Sequence, residues 1–141
     1  MISFFLYILK MIKKNTKTHI EGFWEKKINE PVANKEKWEG QEKFEKKLAV
    51  IEHILRNKYN EKEHYKIIDS DINVSFFEEN VKLPPRAYNV KFNGIEYWWL
   101  DSFLEYYVKQ YNVKPSPTFL KFVDEYAVWL YKNGKVKKNK T

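Results

Sequence analysis

Cysteine is absent from this chain, which removes disulfides and thiolate metal ligands and suits a reducing, cytoplasmic compartment. Glycine is scarce: Gly22, Gly40, Gly94 and Gly134 are the only four, and none forms a phosphate-cradling loop. Histidine is limited to His19, His53 and His64, with no pair at metal-ligating spacing. His64 with Asp69 and Asp71 is the nearest approach to an oxygen-rich cation loop, yet the spacing matches none. No Ser stands in a nucleophile elbow. Adjacent carboxylates, such as Glu61 with Glu63 and Glu78 with Glu79, lie in polar stretches. Acid–base catalysis needs carboxylate pKa values driven apart by burial, and polar stretches do not supply that. Together these absences point to a protein that is not an enzyme and takes no metal and no cofactor.

Long apolar runs are missing too. The longest at the start, Phe4–Leu9, is far short of the roughly 20 residues a spanning helix needs. It also lacks the basic start, longer apolar region and small-residue cleavage site of a signal peptide. The expectation is a packed or docked segment and no transmembrane helix, with Met11 as an alternative start.

What the chain has in quantity is aromatic side chains and lysine. Five Trp, ten Tyr and ten Phe in 141 residues are enough to fill one core. The formal charge is +7, but it sits at the ends. Residues 1–20 hold four lysines and residues 132–141 hold five, with no acid in either. The remainder carries 17 basic against 19 acidic residues. The division is therefore a basic, apolar arm over 1–20, one α+β domain over 21–131, and a Lys-rich tail over 132–141. Such ends serve as solubilising segments, or they attract phosphates without reading sequence.

Within the domain, residues 21–40 are irregular, with Phe23, Trp24 and Trp38 as anchors. Phe44, Leu48, Ile51, Ile54 and Leu55 recur at three- and four-residue steps, which predicts an amphipathic helix over 41–58. Lys46, Lys47, Glu52 and Arg56 would then face solvent, and His53 would be a structural histidine. Residues 59–64 read as a polar loop, followed by β-prone pieces at 65–68 and 72–77. Asn93-Gly94 predicts a two-residue hairpin turn that sets Phe92 opposite Ile95, Val90 opposite Tyr97 and Tyr88 opposite Trp99. On the other face Lys91 meets Glu96, and Asn89 meets Trp98. Ser102 and Glu105 have capping-box spacing and open a helix to Tyr111, with Asn112 suited to its left-handed end. Ser116-Pro117 opens the last helix, whose core face reads Phe119, Leu120, Val123, Tyr126, Ala127 and Leu130. The fold expected is α+β: a long N-terminal helix, a small antiparallel sheet around the Asn93-Gly94 hairpin, and two C-terminal helices.

One stretch carries a resemblance. Asn93-Gly94-Ile95-Glu96-Tyr97-Trp98-Trp99, then Tyr106-Tyr107-Val108-Lys109-Gln110-Tyr111-Asn112-Val113-Lys114-Pro115 and Phe119, resembles an uncharacterised family of small bacterial and viral proteins. That family shows a Cys-x-x-Cys pair, an Asn-Gly turn leading into Glu-Tyr or Glu-Phe, and a Trp-containing strand end. His-Tyr-x-x-x-His-x-Val-x-Pro and a closing Phe follow. Phe23-Trp24, Pro31, Trp38, Phe44, Leu48 and Ile51-Glu52 extend the likeness over about residues 22–123. The family's Cys and His resemble a zinc site. Here their positions fall on Arg86, Asn89, Tyr106 and Tyr111, so the resemblance implies a zinc-free relative in which Tyr106 and Tyr111 pack beside Arg86. It also implies a bacterial, viral or mobile-element setting, with host cytoplasm or virion as the location if viral.

The functional expectation is a non-catalytic binding protein that docks a protein partner through an aromatic surface formed by Arg86, Tyr88, Trp98, Tyr106 and Tyr111. Trp98 matters most, because alternation sets it on the face away from Tyr97. One alternative is a nucleic-acid-binding protein acting through Lys135, Lys137, Lys138 and Lys140. Another is a protein that sequesters a nucleotide-like ligand between Arg86 and nearby rings.

Overall fold

The simplest instruction in the chain is Asn93-Gly94. Both residues take positive φ, 50° and 78°, so the backbone reverses in two residues with the twist an antiparallel pair requires. A computed structural model describes residues 17–24, 30–57, 61–67, 75–78 and 80–133, with only the backbone of 61 and 62. In it β3, Arg86–Phe92, and β4, Ile95–Leu100, flank that turn. Their register is the one the turn predicts: Phe92 opposite Ile95, Val90 opposite Tyr97, Tyr88 opposite Trp99, Lys91 opposite Glu96 and Asn89 opposite Trp98.

Two short strands extend the hairpin into a four-stranded sheet of order β1-β4-β3-β2. β2, Tyr65–Ile67, pairs antiparallel with β3, whereas β1, Thr18–Glu21, runs parallel to β4. The sheet is therefore mixed, and the expected all-antiparallel sheet is corrected. Parallel pairing needs a long connection, and here the chain between β1 and β4 contains most of the domain. Residues 18–20, assigned to the basic arm by composition, belong to this strand. The residues before 17 and after 133 lie outside those described, as does most of the β-prone piece at 72–77. Its described part, Ser75–Phe77, is not a strand.

The helix α1 runs over Gln41–Leu55 and α2 is a single turn, Glu61–His64, within the expected loop. α3 begins as a π-helix, Phe103–Val108, and closes with an α-turn at Lys109–Tyr111. α4 spans Pro117–Lys132. Ser116 caps α4 by accepting from Phe119 N–H at 3.2 Å, with Pro117 in the first turn, as the sequence implies. Asn112 ends α3 at φ 54°, also as expected.

α1 and α4 pack on the sheet face that carries Tyr88, Val90, Tyr97 and Trp99. Phe119 and Phe122 of α4 are fully buried between the sheet and α1, and Phe122 stacks on Tyr97 at 3.9 Å. Lys47 of α1 pairs with Asp124 of α4 at 2.8 Å over the outside of that layer. Ala87, Asn89, Trp98 and Leu100, on the opposite face, are buried as well. Gly22, just after β1, is held at φ 84°, and a Cβ there would stand 2.9 Å from Phe103 Cδ1. Only glycine lets β1 approach α3 so closely.

Candidate functional site

The sequence-selected residues separate into three places. At the first, Arg86 stands over the ring of Tyr65 at 5.0 Å. Tyr65 stacks on Tyr88 at 4.7 Å, and Tyr88 stacks on Trp99 at 5.2 Å. Both tyrosine hydroxyls donate to one carboxylate: Tyr65 to Asp101 Oδ2 at 2.7 Å and Tyr88 to Oδ1 at 3.1 Å. Burial first, then Asp101, pushes the Tyr65 phenol up to about 12, and burial raises Tyr88 further. These are phenols fixed in their neutral, donating form.

Behind them Glu52, expected on the solvent side of α1, is 4% exposed, which corrects that reading. Its Oε2 accepts from Trp99 Nε1 at 2.9 Å. Burial drives its pKa up to about 8, against a smaller lowering by the Trp99 N–H. The periodicity of α1 places position 52 beside the apolar stripe at 48, 51 and 55. Only its charge suggested solvent.

The second place is the π-helical segment. Tyr106 and Tyr111 approach each other at 5.2 Å, but Arg86 is not their companion. The expected packing of both beside Arg86 is thus replaced. Tyr106 hydroxyl donates to Glu78 Oε2 and lies 2.5 Å from Ser75 Oγ. Hydrogen bonding by Tyr106 first and Tyr111 second lowers the Glu78 pKa, and hydrogen bonding with Tyr106 first and Glu78 second raises that of Tyr111. Tyr107 accepts from Phe76 N–H at 3.0 Å, so α3 fastens the 75–78 segment by its phenols. Among the described residues no three His, Cys, Asp or Glu side chains gather into a metal cluster. Asp69 and Asp71 lie outside those residues.

Trp98 is the third case. Alternation does set it away from Tyr97, but it is 5% exposed and offers no surface. Ile20 is its neighbour on β1, Asn89 on β3, and the Lys66 ammonium lies 5.4 Å from its ring. Tyr88 and Tyr106 are buried as well, at 0% and 7%. An aromatic docking face built on these three rings is not present, because all three are buried: Tyr88 and Trp98 on opposite faces of the sheet and Tyr106 in α3.

Exposed aromatic area lies instead at the C-terminal half of α4. Val128, Trp129 and Tyr131 are 51%, 41% and 49% exposed. Trp129 stacks one face on Tyr126, with centroids 5.7 Å apart and planes within 7°. Phe92, at the hairpin end, meets both rings edge-on. The indole is therefore held from below and beside, with much of it open. Lys132 ends the helix, and Lys135, Lys137, Lys138 and Lys140 follow beyond the described residues. A sequence signal for this surface existed. Residues 119–131 contain more apolar positions than one helix face can bury.

His19, Glu21 and Ser116 form a further polar group. Glu21 Oε1 lies 2.7 Å from both His19 Nε2 and Ser116 Oγ, and its Oε2 accepts from Ser116 N–H at 2.8 Å. His19 Nε2 also lies 3.2 Å from Ser116 Oγ. The composition is that of a nucleophilic triad, but the geometry is not. A triad addresses the hydroxyl and the carboxylate through opposite ring nitrogens, and here one nitrogen faces both. The group is a carboxylate cap that fastens β1 to the start of α4.

Among known proteins, the chain matches no family, no curated sequence and no solved structure. Among the described residues no helix is long and apolar enough to cross a membrane.

Proposed function

We propose that this is a non-catalytic binding protein whose contact face is the C-terminal half of α4 with the lysines that follow it, and whose ligand is single-stranded nucleic acid. The observation that supports this most is the solvent-open Trp129, stacked on Tyr126 within 7° and 41% exposed. A ring immobilised on one side and open on the other is a platform for a base, whatever the base is. Lys132 closes the same helix, and the four lysines that follow it in the sequence add charge able to contact phosphates. Stacking and counterion release both bind a strand without reading its sequence, and the residues for both follow one another closely in the chain.

The test is the affinity for a short poly-dT strand at 50 and at 200 mM salt, with the full chain and with a chain ending at residue 131. Each phosphate contact to a single strand contributes about 0.7 to the slope of log K against log salt. Removal of the five lysines should flatten that slope by up to about 3.5. Binding that ignores salt, or a slope untouched by the truncation, would contradict the proposal and favour a protein partner on the same face.

A further inference from the structure

A cleft of about 470 Å³ opens beside the first turn of α4, at the end of the molecule away from Trp129. We infer that it is a binding site for a small molecule with an apolar body and a single anionic head, an aliphatic or aromatic monocarboxylate. Its volume lies in the range of small-molecule sites, roughly 300–1,000 Å³.

The choice of ligand follows from which lining groups are already committed. Trp24, Pro31, Val32 and Val113 give the cleft apolar walls. The Trp24 ring is fixed edge-on against Tyr107 at 5.7 Å, so that wall is rigid. Of the lining carboxylates, Glu21 spends both oxygens on Ser116 and His19, and its charge is absorbed by the start of α4. Glu30 is engaged in an interaction of its own. Lys114 is different: it lines the cleft, is exposed, and has no hydrogen bond or ion pair among the described residues. His19 commits only Nε2, which leaves Nδ1 without a partner among those residues. Among the lining side chains the uncommitted polar atoms are thus the Lys114 ammonium, His19 Nδ1, the Trp24 indole N–H and the Asn34 amide oxygen, three of the four able to donate to an anion. That combination selects an anionic head on an apolar body and disfavours a cation.

The experiment uses the full-length protein and three ten-carbon probes: decanoate, decan-1-ol and decyltrimethylammonium. Binding is followed by calorimetry and by tryptophan fluorescence. Decanoate should saturate at one equivalent, at least tenfold more tightly than the other two. Lys114→Glu should reduce decanoate affinity at least tenfold and leave decanol unchanged. Val32→Trp, at a residue 68% exposed, should fill the mouth and abolish binding of all three without unfolding the chain. Circular dichroism on both variants secures that point, and Trp129→Ala should bind decanoate normally. Absence of saturable decanoate binding at millimolar concentration would overturn the inference. So would equal affinity for the alcohol or the ammonium, or indifference of decanoate to both cleft substitutions.

Discussion

Glu52 shows how a single buried carboxyl can set the pH response of this fold. The unfolded chain releases its proton near the ordinary value of 4.5, and the folded chain only near 8. Between those values the native state holds the extra proton, so stability is greatest below about 4.5 and declines as pH rises through 8. At 1.36 kcal/mol per unit the decline attributable to this group is on the order of 5 kcal/mol. Glu52→Gln keeps an acceptor for Trp99 N–H and cannot ionise. Its melting temperature should fall less than that of the wild type between pH 5 and 8.5, and should exceed it at pH 8.5. Thermal melts at both pH values decide the matter, and equal slopes would contradict the assignment. Ser116 is the second residue with a calculable role. It caps α4, donates its hydroxyl to Glu21, and its removal leaves that buried oxygen short of a donor. Ser116→Ala should cost about 1–3 kcal/mol in urea denaturation. A loss of a few tenths would mean that water replaces the hydroxyl.

Elements were legible where their causes are local. The hairpin was readable because turn chemistry, alternation and the Lys91–Glu96 pair agree within a dozen residues. α1 and α4 were readable from period and caps. α3 was readable in its extent, from Ser102 to Tyr111, but not in its winding or its cap, and the reason lies in Ser102. A side-chain cap needs extended backbone at that residue, but Ser102 takes φ −75° and ψ −4°, and its buried hydroxyl has no partner. Glu105 bonds to Lys109 at 3.0 Å instead of turning back. The chain is already winding at Ser102 and continues as a π-helix, with its last N–H bonds reaching five residues back, from Lys109 to Leu104 O. This brings Tyr106, Tyr107 and Val108 into the core together. No sequence period signals it, since the wide turn exists to meet Gly22, Phe77 and Ser75 from distant parts of the chain. Gly22 carries the test at this scale. Gly22→Ala meets both a left-handed backbone and the Phe103 ring, and should lower stability by about 1–3 kcal/mol. A neutral result in urea melts would show that β1 can withdraw from α3 without loss.

At the scale of the whole molecule, alternation correctly assigned Trp98 to the second sheet face but could not tell whether anything covers that face. Covering is a property of the assembled chain, and so is the parallel strand β1 beside Trp98. The same limit concealed the exposed rings of α4, because six positions of a core stripe fit the helix period well enough to stop the count there. Phe122 was missed in that stripe, and Trp129 beside it. Once the rings around Arg86, Tyr88 and Tyr106 are committed to the core, Trp129 and Tyr131 on the C-terminal half of α4 are the exposed large aromatics among the described residues on which a strand could stack. The most direct measurement is fluorescence anisotropy of a labelled poly-dT strand with wild-type protein and with Trp129→Ala at 50 mM salt. Stacking on an aromatic ring is worth about 1–3 kcal/mol per base, so affinity should fall roughly 5- to 150-fold with the melting temperature nearly unchanged. Equal affinity of the two proteins, or no binding by either, would contradict the account.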